Sequence, residues 1–396
     1  MKCCIEPTLC WVNVAIRPPN LIGRFTLTRF LLLVLLLASC TPRGEITFEP
    51  QAASVGAIQT VYVGTTRMID PQTRRYGSGR SEVMQFARYD VSIPPDRALG
   101  QIKFPRKHSK PNPRTDFLTT AEVLHTSAVD FRADIAQAAS EGPRGGREAV
   151  IFVHGFNTNF SEGLYRIAQL SHDLELPGAT VHYSWPSAAN PLGYVRDRDS
   201  VLFSRNGLEV LIRQVEEAGA DRILLVAHSM GALLTMEALR QMAIRGEKQV
   251  LSKIAGVILI SPDLDVDVFR SQSDDIGVLP QPFLIFGSHR DRLLNLSAVV
   301  TGEPDRLGNL KDLSRVADLK VTYLDAGDVD GGAGHFAFGN SPVLLSLLGR
   351  ISEVDAAFQR DSRGRVGLLP GVILTVQNAT QIVLAPVAAI AYQTGR

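Results

Sequence analysis

Cysteine is missing from the body of this 396-residue chain: Cys3, Cys4, Cys10 and Cys40 all fall within the first forty residues. A disulfide framework for the folded part is thereby excluded. Charge of one sign is also missing. Forty-one Lys and Arg against forty Asp and Glu leave a formal net charge of +1, so no electrostatic field points to nucleic acid as a partner. No clustered-histidine motif of the H-E-x-x-H kind offers a metal site, and there is no internal repeat. What remains, 45% hydrophobic and 20% charged residues, is ordinary globular composition, long enough for one large domain with additions.

The first cysteine-rich stretch ends in "TRFLLLVLLLASCTPRGE". Arg24 and Arg29 supply positive charge, Phe30 to Ala38 form an apolar core, and small residues precede Cys40. An apolar run of about nine residues is too short to span a bilayer, which needs about twenty. The pattern resembles a bacterial lipoprotein signal whose lipobox is Leu37-Ala38-Ser39-Cys40. The resemblance implies a lipidated Cys40 at the mature N-terminus, and the unusual residues before about Leu21 point to a true start further along. The polar segment that follows, with prolines and glycine, reads as a tether. A lipidated cysteine would put the domain on a membrane surface in the cell envelope, the periplasmic side of the outer membrane if the cell has two.

The stretch "RILLVAHSMGALLTMEALRQM", Arg222 to Met242, changes character at Ser229. Ile223 to Val226 is a short apolar run typical of a strand buried on both faces. Beyond the serine, Leu233, Leu234, Met236, Leu239 and Met242 recur at helical spacing. Ser229, between His228 and Met230, therefore falls in a strand-to-helix turn. Ala227 and Gly231 flank it in the pattern A-x-S-x-G, a variant of the G-x-S-x-G nucleophile elbow, whose sharp turn requires small residues two positions away. A serine that merely caps the helix gives the same local pattern. The pentapeptide is too common by chance to decide alone, and its placement between strand and helix favours the nucleophile.

A nucleophilic serine needs oxyanion donors, a base and an orienting acid. The apolar strand Ala149 to Val153 runs into "HGFNTNFSEGLYRIAQLSHDL". In this setting His154 and Gly155 allow close backbone approach, and the N–H groups of Phe156 and Met230 are the expected oxyanion donors. The plainer reading is a tight turn before a helix capped at Ser161. Acid and histidine follow the serine in chain order, which leaves His289 and His335. His335, in the glycine-rich "DAGDVDGGAGHFAFG" after the strand Val321 to Leu324, is the expected base; a structural loop histidine is the alternative. Asp291, after the strand Pro282 to Phe286, is the expected acid, against a solvated cap or an ion pair with Arg290 or Arg292. Asp263, in "VILISPDLDVDVF", is the alternative acid, with Asp328 and Asp330 behind it. The alternation Asp263, Asp265, Asp267 lacks the glycine and distal glutamate of a calcium loop; it reads as a helix start, and no metal is expected.

With these pieces in view, the chain resembles a bacterial branch of the alpha/beta-hydrolase superfamily, an esterase/lipase-like family largely of unknown function. The matching strings are "VYVGTTR", "FVHGFNTNF", "YRIAQLSHDL", "YSWPS", "YVRDRDSVLFS", "AHSMGALL", "SPDLDVDVF", "RDRLLNLS" and "GHFAF", from about Val61 to Pro342. The resemblance implies Ser229 as nucleophile with Asp291 and His335 as partners, and no cofactor. It supplies no substrate.

Strand signals at Thr60 to Val63, Arg88 to Ile93 and Gln101 to Phe104 precede the oxyanion strand. The expected fold class is α/β, an alpha/beta-hydrolase fold with a mostly parallel central sheet flanked by helices and antiparallel N-terminal strands. Residues 1–39 are read as extension and signal peptide, 40–56 as tether, 57–351 as the hydrolase domain and 352–396 as a C-terminal extension. That extension has no charged residue from Val366 to Gly395, and is expected to dock on the domain or lie at a membrane interface rather than span it. No long lid insertion separates the elbow from Asp291, so a shallow pocket for small esters is expected, unless Leu293 to Leu319 fold over it. The function that follows is a lipid-anchored serine hydrolase acting on a small-molecule or lipid ester through an acyl-enzyme. The rival is a silent hydrolase-fold lipoprotein serving as a binding or scaffold module; a metallohydrolase has little support.

Overall fold

The computed structural model describes residues 43–140, 147–176, 178–302, 305–326, 371–376 and 379–384. The chain from Gly44 onward forms one compact unit. Its elements are β1 (Ala57–Ile69), β2 (Tyr76–Ile93), β3 (Leu118–His125), α1 (Ala128–Ser140), β4 (Glu148–Val153), α2 (Phe160–Asp173), β5 (Ala179–Ser184), α3 (Tyr194–Glu217), β6 (Arg222–His228), α4 (Met230–Ile244), β7 (Ile254–Ile260), α5 (Val266–Ile276), β8 (Phe283–Gly287), α6 (Arg292–Thr301), β9 (Thr322–Asp325), β10 (Gly371–Val376) and β11 (Ala379–Leu384), with short helical turns between some of them.

All eleven strands form one sheet in the order β10-β11-β9-β8-β7-β6-β4-β5-β1-β2-β3. Every pairing from β1 through β5, β4, β6, β7, β8 and β9 to β11 is parallel, while β1-β2, β2-β3 and β10-β11 are antiparallel. The central strands are apolar throughout because both faces are covered. Ile151, Leu225, Val257 and Leu259 face one core with Leu208 and Leu211 of α3 and Leu234 and Met236 of α4. Their alternates Phe152, Val226, Ile258 and Ile260 face the other, with Leu164 and Ile167 of α2. Register brings the carboxyl ends into line: Val153 pairs with Ala227, His228 with Ile260, Ile260 with Phe286 and Gly287 with Asp325. The segments after β4, β6, β7 and β8 therefore emerge along one edge, where open α/β sheets bind ligands.

Three expectations need correction. Residues 101–104 join no strand; Phe104 instead stacks on Tyr165 of α2 at 5.2 Å, and the N–H of Phe117 bonds the carbonyl of Lys103. The third strand is β3, a sheet edge whose polar alternation gave a weaker signal than the apolar "IKF". The helix α2 is capped at Asn159, not Ser161: the Asn159 side chain accepts from the N–H of Glu162, and Glu162 bonds back to the Asn159 amide, a capping box. The reading of 40–56 as a tether does not hold from Gly44 onward, where the chain is built into the domain. Gly44 accepts from Ser161 Oγ at 2.7 Å and Asn159 Nδ2 at 2.8 Å, and Thr47 and Glu49 bond to Thr119 of β3. Part of the extension, β10 and β11, continues the sheet beyond β9. Among the described residues no helix is long and apolar enough to cross a membrane.

His182 of β5 lies fully inside, its Nδ1 3.3 Å from the Phe152 carbonyl and its ring stacked on Phe152. Burial lowers its pKa to about 3, so the folded chain keeps it neutral while the unfolded chain takes up a proton below about pH 6.5. Stability from this group is complete above that pH and falls on acidification by about 1.4 kcal/mol per pH unit until near the folded pKa. Urea titrations between about pH 6 and pH 4 should show a shallower acid loss for His182→Asn than for the wild type; equal slopes would refute the assignment.

Candidate active site

Ser229 sits where β6 meets α4, at φ 53° and ψ −122°, a region that residues with a Cβ adopt only under constraint. Its N–H bonds the Ile260 carbonyl at 2.9 Å, and its carbonyl accepts from Ala232 and Asp263. These bonds to β7 and the following loop hold the turn. The Ser229 side chain makes no capping bond to α4, so the cap reading loses its physical basis. The neighbouring glycines are set by contact. A Cβ on Gly231 would lie 2.5 Å from the carbonyl oxygens of Val153 and His154, and one on Gly155 would lie 2.9 Å from Ser229 Cβ. The loop after β4 thus closes directly onto the serine, and any side chain at 155 would separate them.

That loop is held from below by a buried cation. Arg67 of β1 is 1% exposed. Its Nε reaches Ser184 Oγ at 2.8 Å, Nη1 the carbonyls of Gly77 at 3.0 Å and Ser187 at 3.2 Å, and Nη2 the carbonyl of Thr158 at 2.9 Å and His154 Nε2 at 3.3 Å. Burial pulls its pKa down to about 9, still above neutrality, so the group remains a cation. Asp197 of α3 acts from the other side. It accepts from Ser187 Oγ and the Ala188 N–H, both at 2.6 Å, and from the Asn157 N–H at 3.4 Å. Trp185 Nε1 donates to the His154 carbonyl at 2.7 Å while its ring stacks on the His154 ring. Four strings spread along the chain from Val61 to Ser204, "VYVGTTR", "FVHGFNTNF", "YSWPS" and "YVRDRDSVLFS", meet here as one frame around residues 154–158.

Ser229 forms part of the wall of a cavity of about 460 Å³, together with His154, Gly155, Phe156, His228 and Asp263. The rest of the lining is mostly apolar, from Phe152, Pro191 and the α6 residues Leu293, Leu294, Leu296 and Val300. The segment from Leu293 does fold over the site, so the pocket is larger and more apolar than a shallow groove. Met230, Ala227 and Gly231 lie behind the wall as buried residues of the elbow.

The two candidate acids are occupied differently. Asp263 has both oxygens engaged: Ser297 Oγ at 2.5 Å and Arg306 Nε at 3.4 Å on Oδ1, and Tyr194 Oη at 2.9 Å on Oδ2. Buried and ion-paired with Arg306, it fastens α6 to the body; burial and the Asp263 charge together raise the Tyr194 pKa. Asp291 is also buried and caps α6, Oδ1 accepting from the N–H groups of Leu293 at 3.0 Å and Leu294 at 3.1 Å. The cap reading of Asp291 is thus correct in part: the carboxylate caps, but from a buried position rather than a solvated one. Asp265 caps α5 and Asp267 pairs with Arg315, so the three alternating aspartates do not converge.

Among the histidines, His154 is held well below its ordinary pKa by burial and then by the Arg67 charge, which makes it a structural, neutral ring. His289 Nδ1 lies 3.2 Å from Asp325 Oδ2 at the end of β9, and it is not part of the cavity lining. The expected base His335, ten residues beyond Asp325 in sequence, lies outside the described residues, as do the expected lipidation site Cys40 and the weaker acids Asp328 and Asp330. Sequence reasoning gave no role to Arg67, Trp185, Tyr194, Asp197, Ser297 or Arg306. The first four stand inside the strings that carry the family resemblance, but nothing in local spacing tells which distant loop they hold.

The model of a family described as alpha/beta hydrolase of unknown function (DUF900) matches residues 131–349, more than half of the chain. No curated protein matches the chain in sequence. Solved structures similar to it include esterase B of Lactobacillus rhamnosis inhibited by a tributyrin phosphonate, 12% identical over 86% of this chain and 96% of that one with a TM-score of 0.37. The Pyrococcus furiosus esterase is 13% identical over 81% and 96%, with a TM-score of 0.36. Aspergillus fumigatus lipase B is 16% identical over 52% of each chain, with a TM-score of 0.35; the chain thus spans about half the length of that lipase. Likeness at this level carries no argument about activity.

The frame around Arg67 is testable by stability. Arg67→Met leaves the carbonyls of Gly77, Thr158 and Ser187 without their donor and should cost about 3 kcal/mol or more, read from urea unfolding. Arg67→Lys should recover only part, because an ammonium has three donors and no planar fork. A lysine variant as stable as the wild type would show that charge alone matters.

Proposed function

The chain belongs to this alpha/beta-hydrolase family, and we propose that it is a serine hydrolase cleaving carboxylic esters through an acyl-enzyme. The observation that carries this reading is Ser229: strained at the elbow, free of a capping role, and set in the wall of an apolar cavity against Gly155.

In this reading His335 takes the Ser229 hydroxyl proton as Oγ attacks the ester carbonyl carbon. The N–H groups of Phe156 and Met230 stabilise the tetrahedral oxyanion, a contribution usually worth about a hundredfold or more in rate per donor. Collapse breaks the bond to the alkoxy oxygen, and His335 returns the proton to the departing alcohol. Water then attacks the acyl-serine, His335 accepts its proton, and release of the acid restores Ser229. Asp291 orients and charge-compensates the ring. Asp291 is preferred to Asp263 because it follows β8, the strand before the one that leads toward His335, whereas Asp263 has a donor on each oxygen and is committed to fastening α6. No step needs a cofactor. Lipidation of Cys40 would hold the enzyme on an envelope membrane, the outer membrane on its periplasmic side in a cell with two.

A fluorophosphonate probe should label the wild type and fail on folded Ser229→Ala, with His335→Ala slowed by about a thousandfold. Well-folded wild type that takes no label would favour the silent scaffold instead. For the anchor, wild type expressed in a bacterium should enter the detergent phase on Triton X-114 partition and incorporate labelled palmitate, and Cys40→Ser should do neither. A Cys40→Ser chain that partitions and labels like the wild type would remove the lipoprotein reading.

A further inference from the structure

The helix α6 is apolar on the wrong side for a helix facing water. Leu294, Ser297 and Ala298 point inward, while Leu293, Leu296, Val299 and Val300 are 56%, 58%, 78% and 56% exposed. Three of those four also line the cavity that contains Ser229. Pro191 also lines the cavity, and the next residue, Leu192, is 92% exposed. Single exposed apolar residues need no explanation, but a set continuous with the mouth of an apolar pocket does. The helix is not a loose flap: Ser297 is bonded to Asp263, and Asp291 caps its start, so the apolar rim is a fixed surface.

The chain itself indicates what this rim faces. Gly44 is fastened to the amino end of α2 through Asn159 and Ser161, and its N–H reaches Glu162 Oε1, a residue of the same cavity lining. Both lie at the carboxyl edge of the sheet, the edge that carries the mouth. Three residues separate Cys40 from Gly44, so the two are at most about 14 Å apart when the chain is fully extended.

We propose that the cavity mouth docks on a lipid bilayer, with the α6 rim and Leu192 in its surface and the acyl chain of a membrane lipid ester entering the cavity beside Ser229. This rests on the serine-hydrolase reading and on a lipidated Cys40, and it replaces small esters with lipid esters as the substrate class. A leash this short leaves the mouth close to the bilayer, and an apolar cavity takes an acyl chain while leaving the polar headgroup outside.

The test uses the full-length, membrane-inserted protein and two rim variants outside the cavity lining, Leu192→Glu and Val299→Glu. Activity is measured on a soluble short-chain nitrophenyl ester and on phospholipid vesicles, with fluorophosphonate labelling in parallel. The expected result is unchanged labelling and soluble-ester turnover in both variants, with vesicle turnover reduced by about tenfold or more. A His-tagged chain starting at Gly44, tethered to nickel-lipid vesicles through that end, should restore vesicle turnover when the tag linker is short. Vesicle turnover equal in wild type and rim variants overturns the proposal while leaving the hydrolase reading intact. A dimer in sedimentation that the rim variants dissolve, without effect on vesicle turnover, assigns the rim to a second copy and also overturns it. Absence of labelling and of all ester turnover in folded wild type is failure of the hydrolase reading itself.

Discussion

The guanidinium of Arg67 is the interaction on which the rest of the site depends. A buried cation is costly unless its hydrogen-bonding capacity is met, and here it is met by five oxygen and nitrogen atoms drawn from three separate segments. Those segments cannot all move independently without stranding a charge in the core. The Thr158 and His154 contacts hold the loop after β4, that loop presents Gly155 to Ser229, and the elbow is in turn held by Ile260 and Asp263. Rigidity is thus passed from a polar centre to the edge that carries Ser229 through backbone groups, which keep their geometry better than long side chains.

Much of this was legible in the sequence, and the failures have physical causes. The apolar runs of β4, β6, β7 and β8 were readable because strands buried on both faces have no other way to be written. The elbow was readable because its sterics demand small residues at fixed offsets from Ser229. The third strand was misplaced because "IKF" at residues 102–104 is apolar for packing against Tyr165, whereas β3 lies at an edge and alternates. The α2 cap fell on Asn159 because two candidate caps stood two residues apart and the reciprocal Glu162 decided between them. Arg67, Trp185 and Asp197 could be seen as parts of the strings that carry the family resemblance but not given partners: contact between β1, the loop after β4 and α3 is a property of the tertiary fold alone.

The pocket illustrates the same limit from another direction. Chain length between the elbow and Asp291 argued for an open groove, since no segment was long enough to make a lid. A ten-residue helix after Asp291 suffices, because Asp263 and Arg306 fix it in place through Ser297 and a buried ion pair. Aspartates that alternate in sequence as if for a metal thus divide into one that secures the cavity wall, one that caps α5 and one that pairs at the surface. Identical residues at period two acquire three functions from three environments.

Arg67 also stands outside the segment that the family model matches, which begins at residue 131. A chain trimmed to that segment would retain Ser229, Asp263, Asp291 and the two amides proposed as oxyanion donors. It would nevertheless lose β1, the sheet neighbour of β5, and with it the donor beneath Thr158 and Ser187. Recombinant boundaries drawn from the matched segment would therefore deliver every residue proposed to take part in the reaction and omit a buried cation that braces the loop beside Ser229. For this architecture the functional unit extends upstream of the recognisable one, to the antiparallel strands at its start.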